Sequence, residues 1–368
     1  MKKVHPIILI LLIFVLLNVI IVLLWPLRTS LKFSNYKAYS DEFIVSLNLD
    51  RKESVKLYLE TWQRERLFEY DEFTGLRESV SIDGEYVNID IENGRLISNN
   101  PKNCEKNIFF YGGENVFGYD VGDNQSTPYY FREILKKNDL NYCVFNFGRA
   151  TYYSTQENIL FQKHILNKEI KSGNIVLFLD GINENGNRNS RNTRFLFEVN
   201  RALNEDYWDM YKFTFPIFFN SLTINQFIKR VQKKYNLKKS SNQEPTSIFK
   251  LTDDLKYVYE KNVLIRDGIC NNLSLNCYSF LQPFATLHGK YFEKPTEGAI
   301  ENRVLNTGEN KKLTAKYQIL NSTKGIIDIA DSLDNAISLS YVDGVHYSPL
   351  ANEEIANKIY GIILEKLD

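Results

Sequence analysis

The stretch Ile108-Phe109-Phe110-Tyr111-Gly112-Gly113-Glu114-Asn115-Val116-Phe117-Gly118 decides how this chain is read. Four apolar or aromatic residues run into a glycine pair and then a polar side chain. That is the pattern of a buried strand ending in a tight turn that displays one residue above the sheet edge. The displayed residue is Glu114. Downstream, strand and helix patterns alternate. Residues 107–111 read as a strand, and Ser126-Thr127-Pro128 opens a helix with a capping hydroxyl and a proline at its first position. Residues 142–147 read as a second strand. Ser154-Thr155-Gln156-Glu157 has capping-box spacing and starts a helix with Leu160, Phe161 and Ile165 turned inward. A third strand, 174–179, is wholly apolar from Ile175 to Leu179. Apolar runs this continuous, separated by helices, imply a parallel sheet buried on both faces in an α/β layered domain.

The alternation pauses after residue 184. Residues 185–194 are polar and rich in asparagine, and helices are predicted over 222–235 and 248–263, joined by the polar stretch 238–243. The interval 185–275 therefore reads as a helical insertion. A strand at 277–282, a helix from about 300 to 320 and a short strand at 336–339 come next. A last helix starts at Ser348-Pro349 and carries Ile355, Ile359, Ile362 and Ile363 inward. Upstream, 53–66 is a helix with Val55, Leu57, Leu59 and Trp62 as apolar members. Residues 67–100 read as short strands, with Asp83-Gly84 and Asn93-Gly94 as turns. No Pro/Gly-rich linker separates 31–106 from the strand at 107, so that segment is read as a cap on the main domain, 107–368.

Composition excludes whole classes of function. With 43% hydrophobic and 24% charged residues the chain is globular and not disordered. Its 45 basic and 45 acidic residues cancel, leaving no field that would favour nucleic acid as a partner. Lys233, Lys234, Lys238 and Lys239 read as the solvated side of a helix and its exit. The first thirty residues differ. Lys2 and Lys3 precede an apolar run over 6–24, broken by Asn18 and followed by Trp25, Pro26 and Arg28. That run is long enough to cross a hydrocarbon core of roughly 30 Å as a helix. A cleaved signal peptide is the alternative, but it has a shorter apolar region and a small-residue cleavage site, absent after Leu24. Residues 1–30 are therefore read as a retained transmembrane signal anchor. The lysines place the amino terminus in the cytoplasm and the main domain on the periplasmic or extracellular side. In such an oxidising compartment Cys270 and Cys277 could staple the polar segment between them, whereas Cys143, inside an apolar strand, reads as a reduced core residue. No Cys or His pair has zinc-site spacing, so no structural metal or cofactor is expected.

Ligands of open parallel sheets bind outside the carboxyl ends of the strands. Four such places are unusually polar here: Gly112-Gly113-Glu114, Asn146-Phe147-Gly148-Arg149, Asp180-Gly181-Ile182-Asn183-Glu184 and Asp343-Gly344-Val345-His346. In this order they resemble the four sequence blocks of the SGNH (GDSL-like) hydrolase superfamily. Residues 123–128, 152–161, the latter similar to membrane-anchored members, and 328–331 extend the resemblance, which covers 67–184 and 276–366. It implies a three-layer α/β/α, flavodoxin-like parallel sheet, oxyanion donors at Gly148 and Asn183, and an Asp343–His346 pair. It also implies an esterase or O-acyltransferase acting on acyl esters of a cell-surface or extracellular glycan.

The departure is at the nucleophile, where the family has serine and this chain has Glu114. A serine triad needs a hydroxyl whose proton the histidine can take. Loss of the nucleophile in such a triad costs on the order of a millionfold in turnover. Attack by the carboxylate itself would give an anhydride, uphill of the ester. Two readings remain. Glu114 could act as general base on a water, with His346 as general acid. Alternatively, the chain is a pseudoenzyme that binds a glycan or an assembly partner, with Glu114 near the oxyanion donors and paired to protonated His346, which would lower the pKa of Glu114 and raise that of His346. Ser126 is read as a helix cap, Gln282-Pro283 as a strand end, and His164 and His288 as surface or satisfied core residues.

Overall fold

Two strand patterns build the sheet: short, half-exposed antiparallel pieces early in the chain, and longer, buried parallel ones after residue 105. The described residues of the computed structural model are 39, 41–62, 68–69, 71, 73–75, 77–78, 80–167, 169–184, 248–283, 307–333, 340–342 and 345–364. They fall in one unit, Ala38–Arg188 with Ser247–Asp368; the other unit, Met1–Lys37 with Asn189–Thr246, lies outside the described residues. The strands are β1 (Phe68–Glu69), β2 (Arg77–Glu78), β3 (Ile82–Asp83), β4 (Asn88–Asp90), β5 (Gly94–Arg95), β6 (Lys106–Gly112), β7 (Tyr142–Asn146), β8 (Ile175–Asp180), β9 (Asn276–Leu281) and β10 (Ile326–Asp328). The helices are α1 (Asp41–Ser46), α2 (Arg51–Trp62), α3 (Glu114–Phe117), α4 (Thr127–Lys137), α5 (Ser154–Leu166), α6 (Ile248–Leu273), α7 (Thr307–Asn321) and α8 (Pro349–Ile363).

β1 and β2 form a separate antiparallel pair, and the remaining strands lie in the order β10-β9-β8-β6-β7-β5-β4-β3. The run β7-β6-β8-β9-β10 is parallel throughout, with Ile108 opposite both Val144 and Ile175. In chain order it reads 2-1-3-4-5, the flavodoxin-like arrangement, whose switch point lies between the first and third strands. β5, β4 and β3 continue the sheet antiparallel beyond β7.

Successive side chains of the central strands point to opposite faces, as a pleat requires. Ile108 and Phe110 of β6, with Ile175, Leu177 and Leu179 of β8, pack against Phe131, Ile134 and Leu135 of α4 and Ile355, Ile359 and Ile363 of α8. Phe109 and Tyr111, with Val176 and Phe178, meet Leu160 and Phe161 of α5 and Cys270 of α6 on the other face. The result is a three-layer α/β/α core, and each apolar run is continuous because both of its faces are covered. α1 and α2 bring Phe43, Ile44 and Leu57 onto a smaller cluster with Phe117, Tyr119 and Val121.

Some local expectations hold, some need correction and some fall outside the described residues. The fifth parallel strand is β10 at Ile326–Asp328, while the predicted strand at 336–339 lies outside the described residues, as do the predicted helix at 222–235 and the anchor at 1–30. Among the described residues no helix is long and apolar enough to cross a membrane. α6 runs ten residues past its predicted end at 263, through the charged and apolar turns up to Leu273. Ser126 and Ser348 cap α4 and α8, accepting from Tyr129 and Ala351 N–H. The capping box at Ser154 does not form: Tyr153 is the N-cap, Ser154 is drawn to the buried Glu184, and Glu157 is drawn to the buried Arg266.

Cys143 is not a reduced core residue. It is joined to Cys104 across Cα atoms 5.5 Å apart, and Cys270 is joined to Cys277. The Cys104–Cys143 bridge spans 39 residues. A loop of that size is worth roughly 4 kcal/mol in the chain-entropy treatment. Non-reducing peptide mapping should recover both pairs, and Cys104→Ala/Cys143→Ala should lower the unfolding free energy in urea by an amount of that order. Free thiols in the folded, natural protein would contradict the pairing.

Candidate functional site at the carboxyl end of the sheet

The site grows from the turn after β6. Gly112-Gly113 lets the chain reverse under tight contacts: a Cβ on Gly113 would lie 2.4 Å from Asn183 Nδ2. Glu114 then opens α3, and its carboxylate has two donors. Asn183 Nδ2 donates to Oε2 at 2.9 Å, and the Thr151 backbone N–H donates to Oε1 at 3.2 Å. Gly148 sits against the same short helix, where a Cβ would come within 2.2 Å of Phe117 N. Its own N–H, however, donates to Asn146 Oδ1 at 3.0 Å, while Asn146 Nδ2 donates to the Val116 carbonyl at 2.9 Å. Asn146, fully buried at the end of β7 and marked in the sequence only as part of a polar strand end, supplies that acceptor.

Thus Glu114 and Asn183 are brought into direct contact and Gly148 into the same turn, with the side-chain donor of Asn183 and the N–H of Gly148 both engaged. Asp343 lies outside the described residues. His346 is 6% exposed and is set against Asp120: Nδ1 is 3.5 Å from Oδ2. Tyr119 stacks on the imidazole at 5.4 Å and Trp62 meets it edge-on at 5.6 Å. Asp120 Oδ1 accepts from the Tyr39 hydroxyl at 2.6 Å and Trp62 Nε1 at 2.5 Å, and its backbone is left-handed, φ 65°. Among the described residues, the carboxylate beside His346 Nδ1 is that of Asp120. Nothing in its sequence position, two residues after a glycine, marked Asp120 for that task.

The turn is held from below by Arg95 of β5, whose fully buried guanidinium donates to Asp123 Oδ1 at 2.7 Å and to the carbonyls of Phe117, Gly118 and Val121. The loop after β8 is held by Arg266 of α6. Its Nη1 and Nη2 reach Asp180 Oδ2 and Oδ1 at 2.6 and 3.0 Å, Nη2 reaches Glu157 Oε2 at 3.1 Å, and Nε donates to Asn158. Glu184 accepts from Ser154 N–H and Oγ, each at 2.7 Å. Asp180 and Glu184 thereby clamp both ends of the segment carrying Asn183. Lys316 Nζ donates to the Ile182 carbonyl at 2.6 Å.

Oxygens of Glu157, Asp180 and Glu184 lie within 4.8 Å of one another, the one set among the described residues spaced to ligate an ion. Arg266 already supplies a cation there. Burial, with the neighbouring Asp180 charge, pushes Glu157 well above the usual carboxylate range and Glu184 up to about 7. Burial alone would lower Arg266, but Asp180 and Glu157 more than offset it and hold the guanidinium charged. Between this cluster and the turn is a cavity of about 10 Å³, lined among others by Glu114, Asn115, Tyr152, Asn183, Glu184 and Gln282. That is room for about one water, not for an acyl group.

No family model and no curated protein matches the chain. Among solved structures it is similar to the acetyl xylan esterase AlAXEase (11% identity, TM-score 0.34, covering 70% of this chain and 99% of that one). It is also similar to the lipase Lip_vut3 from a goat rumen metagenome (10%, 0.41, 72% and 100%) and to the lipase/acylhydrolase from Enterococcus faecalis (12%, 0.36, 72% and 97%). Scores below 0.5 fix neither the fold nor the function of this chain.

The buried carboxyls give the domain a pH signature. Because Glu184 is raised from 4.5 to about 7 in the folded state, the folded chain binds its proton more tightly than the unfolded chain does. The stabilisation is fully present below about pH 4.5 and is lost as pH rises through about 7, with a limiting slope of about 1.4 kcal/mol per pH unit. Urea titrations from pH 4.5 to 7.5 should show this decline in the natural protein and a flatter profile in Glu184→Gln. Parallel profiles would show that Glu184 does not carry the effect.

Proposed function

We propose that this chain is a membrane-anchored, outward-facing member of the SGNH (GDSL-like) hydrolase superfamily, built on an ester-hydrolase scaffold but closed to ester hydrolysis, that recognises a cell-surface glycan or an assembly partner. The observation that carries the reading is the Asn183–Glu114 hydrogen bond of 2.9 Å. A carboxylate stands where the family's nucleophile would stand, and it takes one Nδ2–H of the side chain that would receive the oxyanion. The Gly148 N–H is likewise spent on Asn146. An oxyanion hole works by presenting donors where charge develops; here negative charge is already present. The 2-1-3-4-5 strand order and the placement of the polar blocks at strand ends support the superfamily assignment. The two disulfides suit an oxidising compartment outside the cytoplasm, as the anchor reading requires.

One observation favours a second reading. The buried His346, with Asp120 at Nδ1, is arranged as an oriented acid–base pair, so Glu114 could activate a water and His346 protonate the leaving group.

Full-length protein in a sugar-free detergent, assayed on short-chain aryl acetates beside Glu114→Ser and His346→Ala, separates the two. The natural protein should be silent, and Glu114→Ser should gain turnover of roughly a hundredfold or more over background. That gain should disappear in Glu114→Ser/His346→Ala. Turnover by the natural protein that His346→Ala abolishes would replace the binding reading with the water-activating one.

A further inference from the structure

A second, larger opening adjoins the closed turn. It has a volume of about 370 Å³ and is bounded by the β1–β2 hairpin, the turn at Ile91 and Glu92, α5, and the segment from Arg149 to Tyr152. Tyr152 lines both this cleft and the small cavity at Glu114, and Thr151 of the same segment donates to Glu114.

Two donor–acceptor pairs in the cleft, Lys163 with Asp71 and His164 with Glu169, are set just beyond hydrogen-bonding distance. Lys163 Nζ is 3.8 Å from Asp71 Oδ2, and Arg77 Nε is 3.9 Å from the same oxygen. The other oxygen of Asp71 is committed, accepting from Phe73 N–H, Thr74 N–H and the Thr74 hydroxyl at 2.8 to 3.0 Å. His164 Nε2 is 3.9 Å from Glu169 Oε2. His164 is 4% exposed; burial pushes its imidazole down to about 3, and burial holds the Tyr111 phenol well above its ordinary value. Both are therefore neutral and joined at 2.6 Å through Nδ1; in the tautomer that accepts from the phenol, the ring proton sits on Nε2, facing Glu169. A separation of 3.8 to 3.9 Å is too long for a direct hydrogen bond. A hydroxyl placed to one side, however, can accept from the nitrogen and donate to the carboxylate.

The charge balance narrows the ligand. Arg77, Arg149 and Lys163 stand against Asp71, Glu78, Glu92 and Glu169, and Arg149 is paired with Glu78, so the cleft offers no net positive field for an anion. Leu160, Ile91 and Tyr152 add apolar wall. Convergent donor–acceptor pairs around such a wall, in a volume of this size, suit a neutral polyol with an apolar face.

We propose that this cleft binds a neutral saccharide unit, its hydroxyls bridging Lys163 to Asp71 and His164 to Glu169. The inference rests on the reading of the domain as glycan-facing and names where, and in what chemical form, the glycan is held.

The test is NMR and calorimetric titration of full-length protein, in a sugar-free detergent, with cellotetraose, chitotetraose and maltotetraose, and with inorganic phosphate as the anionic control. At least one tetrasaccharide should bind and shift the His164 Nε2–H resonance. Lys163→Ala and Glu169→Ala should each weaken it by about tenfold, as expected for loss of a hydrogen bond to a charged group, while the surface variant Lys358→Ala binds as the natural protein does. Saccharide binding that neither variant alters would overturn the cleft assignment but leave the glycan-binding function standing. Displacement of the saccharide by phosphate would show an anion site instead. Failure of all three tetrasaccharides to bind would overturn the cleft assignment, and the aryl acetate assay, which involves no saccharide, would still report separately on whether Glu114 closes the hydrolytic site.

Discussion

The buried guanidinium of Arg266 is the interaction on which the geometry of the site depends. It joins three elements far apart in sequence: α6, which carries it, the end of β8 through Asp180, and the start of α5 through Glu157, Asn158 and the Ser154 carbonyl. Taking such charges out of water is costly, and the attraction repays it only where the remaining hydrogen bonds are met. Here they are met by Tyr259 on Asp180 and by Ser154 on Glu184. With more carboxylates than cations in a dry space, the surplus charge is relieved by retained protons, which is why Glu157 and Glu184 are pushed upward. The segment 180–184 is thereby fixed at both ends, and Asn183 is delivered to one place, opposite Glu114.

What stands at that place decides the chemistry. A serine hydroxyl would leave the Asn183 amide free to receive developing charge; a carboxylate accepts from it in the resting state. The Gly148 N–H turns to Asn146, and the imidazole of His346 lies among Trp62, Tyr119 and Asp120. Because Trp62 and Tyr39 both donate to Asp120, the segment before β1 takes part in holding the histidine. The polar groups above the open α/β sheet are thus satisfied by one another.

The cleft beside the turn has the opposite character. Two of its pairs, Lys163 with Asp71 and His164 with Glu169, are held 3.8 and 3.9 Å apart, and His164 is kept neutral by burial. Arg149 links the two regions: its backbone N–H bonds the Gly112 carbonyl at 2.9 Å, and its guanidinium pairs with Glu78 on the hairpin. A closed turn and an open polar cleft thus share one short segment.

The sequence by itself determined the layered α/β class, the parallel central strands and most of the polar strand ends. Continuous apolar runs such as 175–179 can be satisfied only when both faces are covered, and glycine pairs at strand ends permit only tight turns. What it did not determine were pairings between residues distant along the chain. Asp120 against His346, Arg266 against Glu157 and Asp180, and Cys143 against Cys104 each join positions whose local patterns carry no mark of the partner. Local rules even misled at Ser154 and Glu157, where capping-box spacing gave way to Arg266 and Glu184 because a buried charge demands partners more strongly than an exposed helix end does. Periodicity reports which faces are dry; only the tertiary structure decides which polar groups share the dry space.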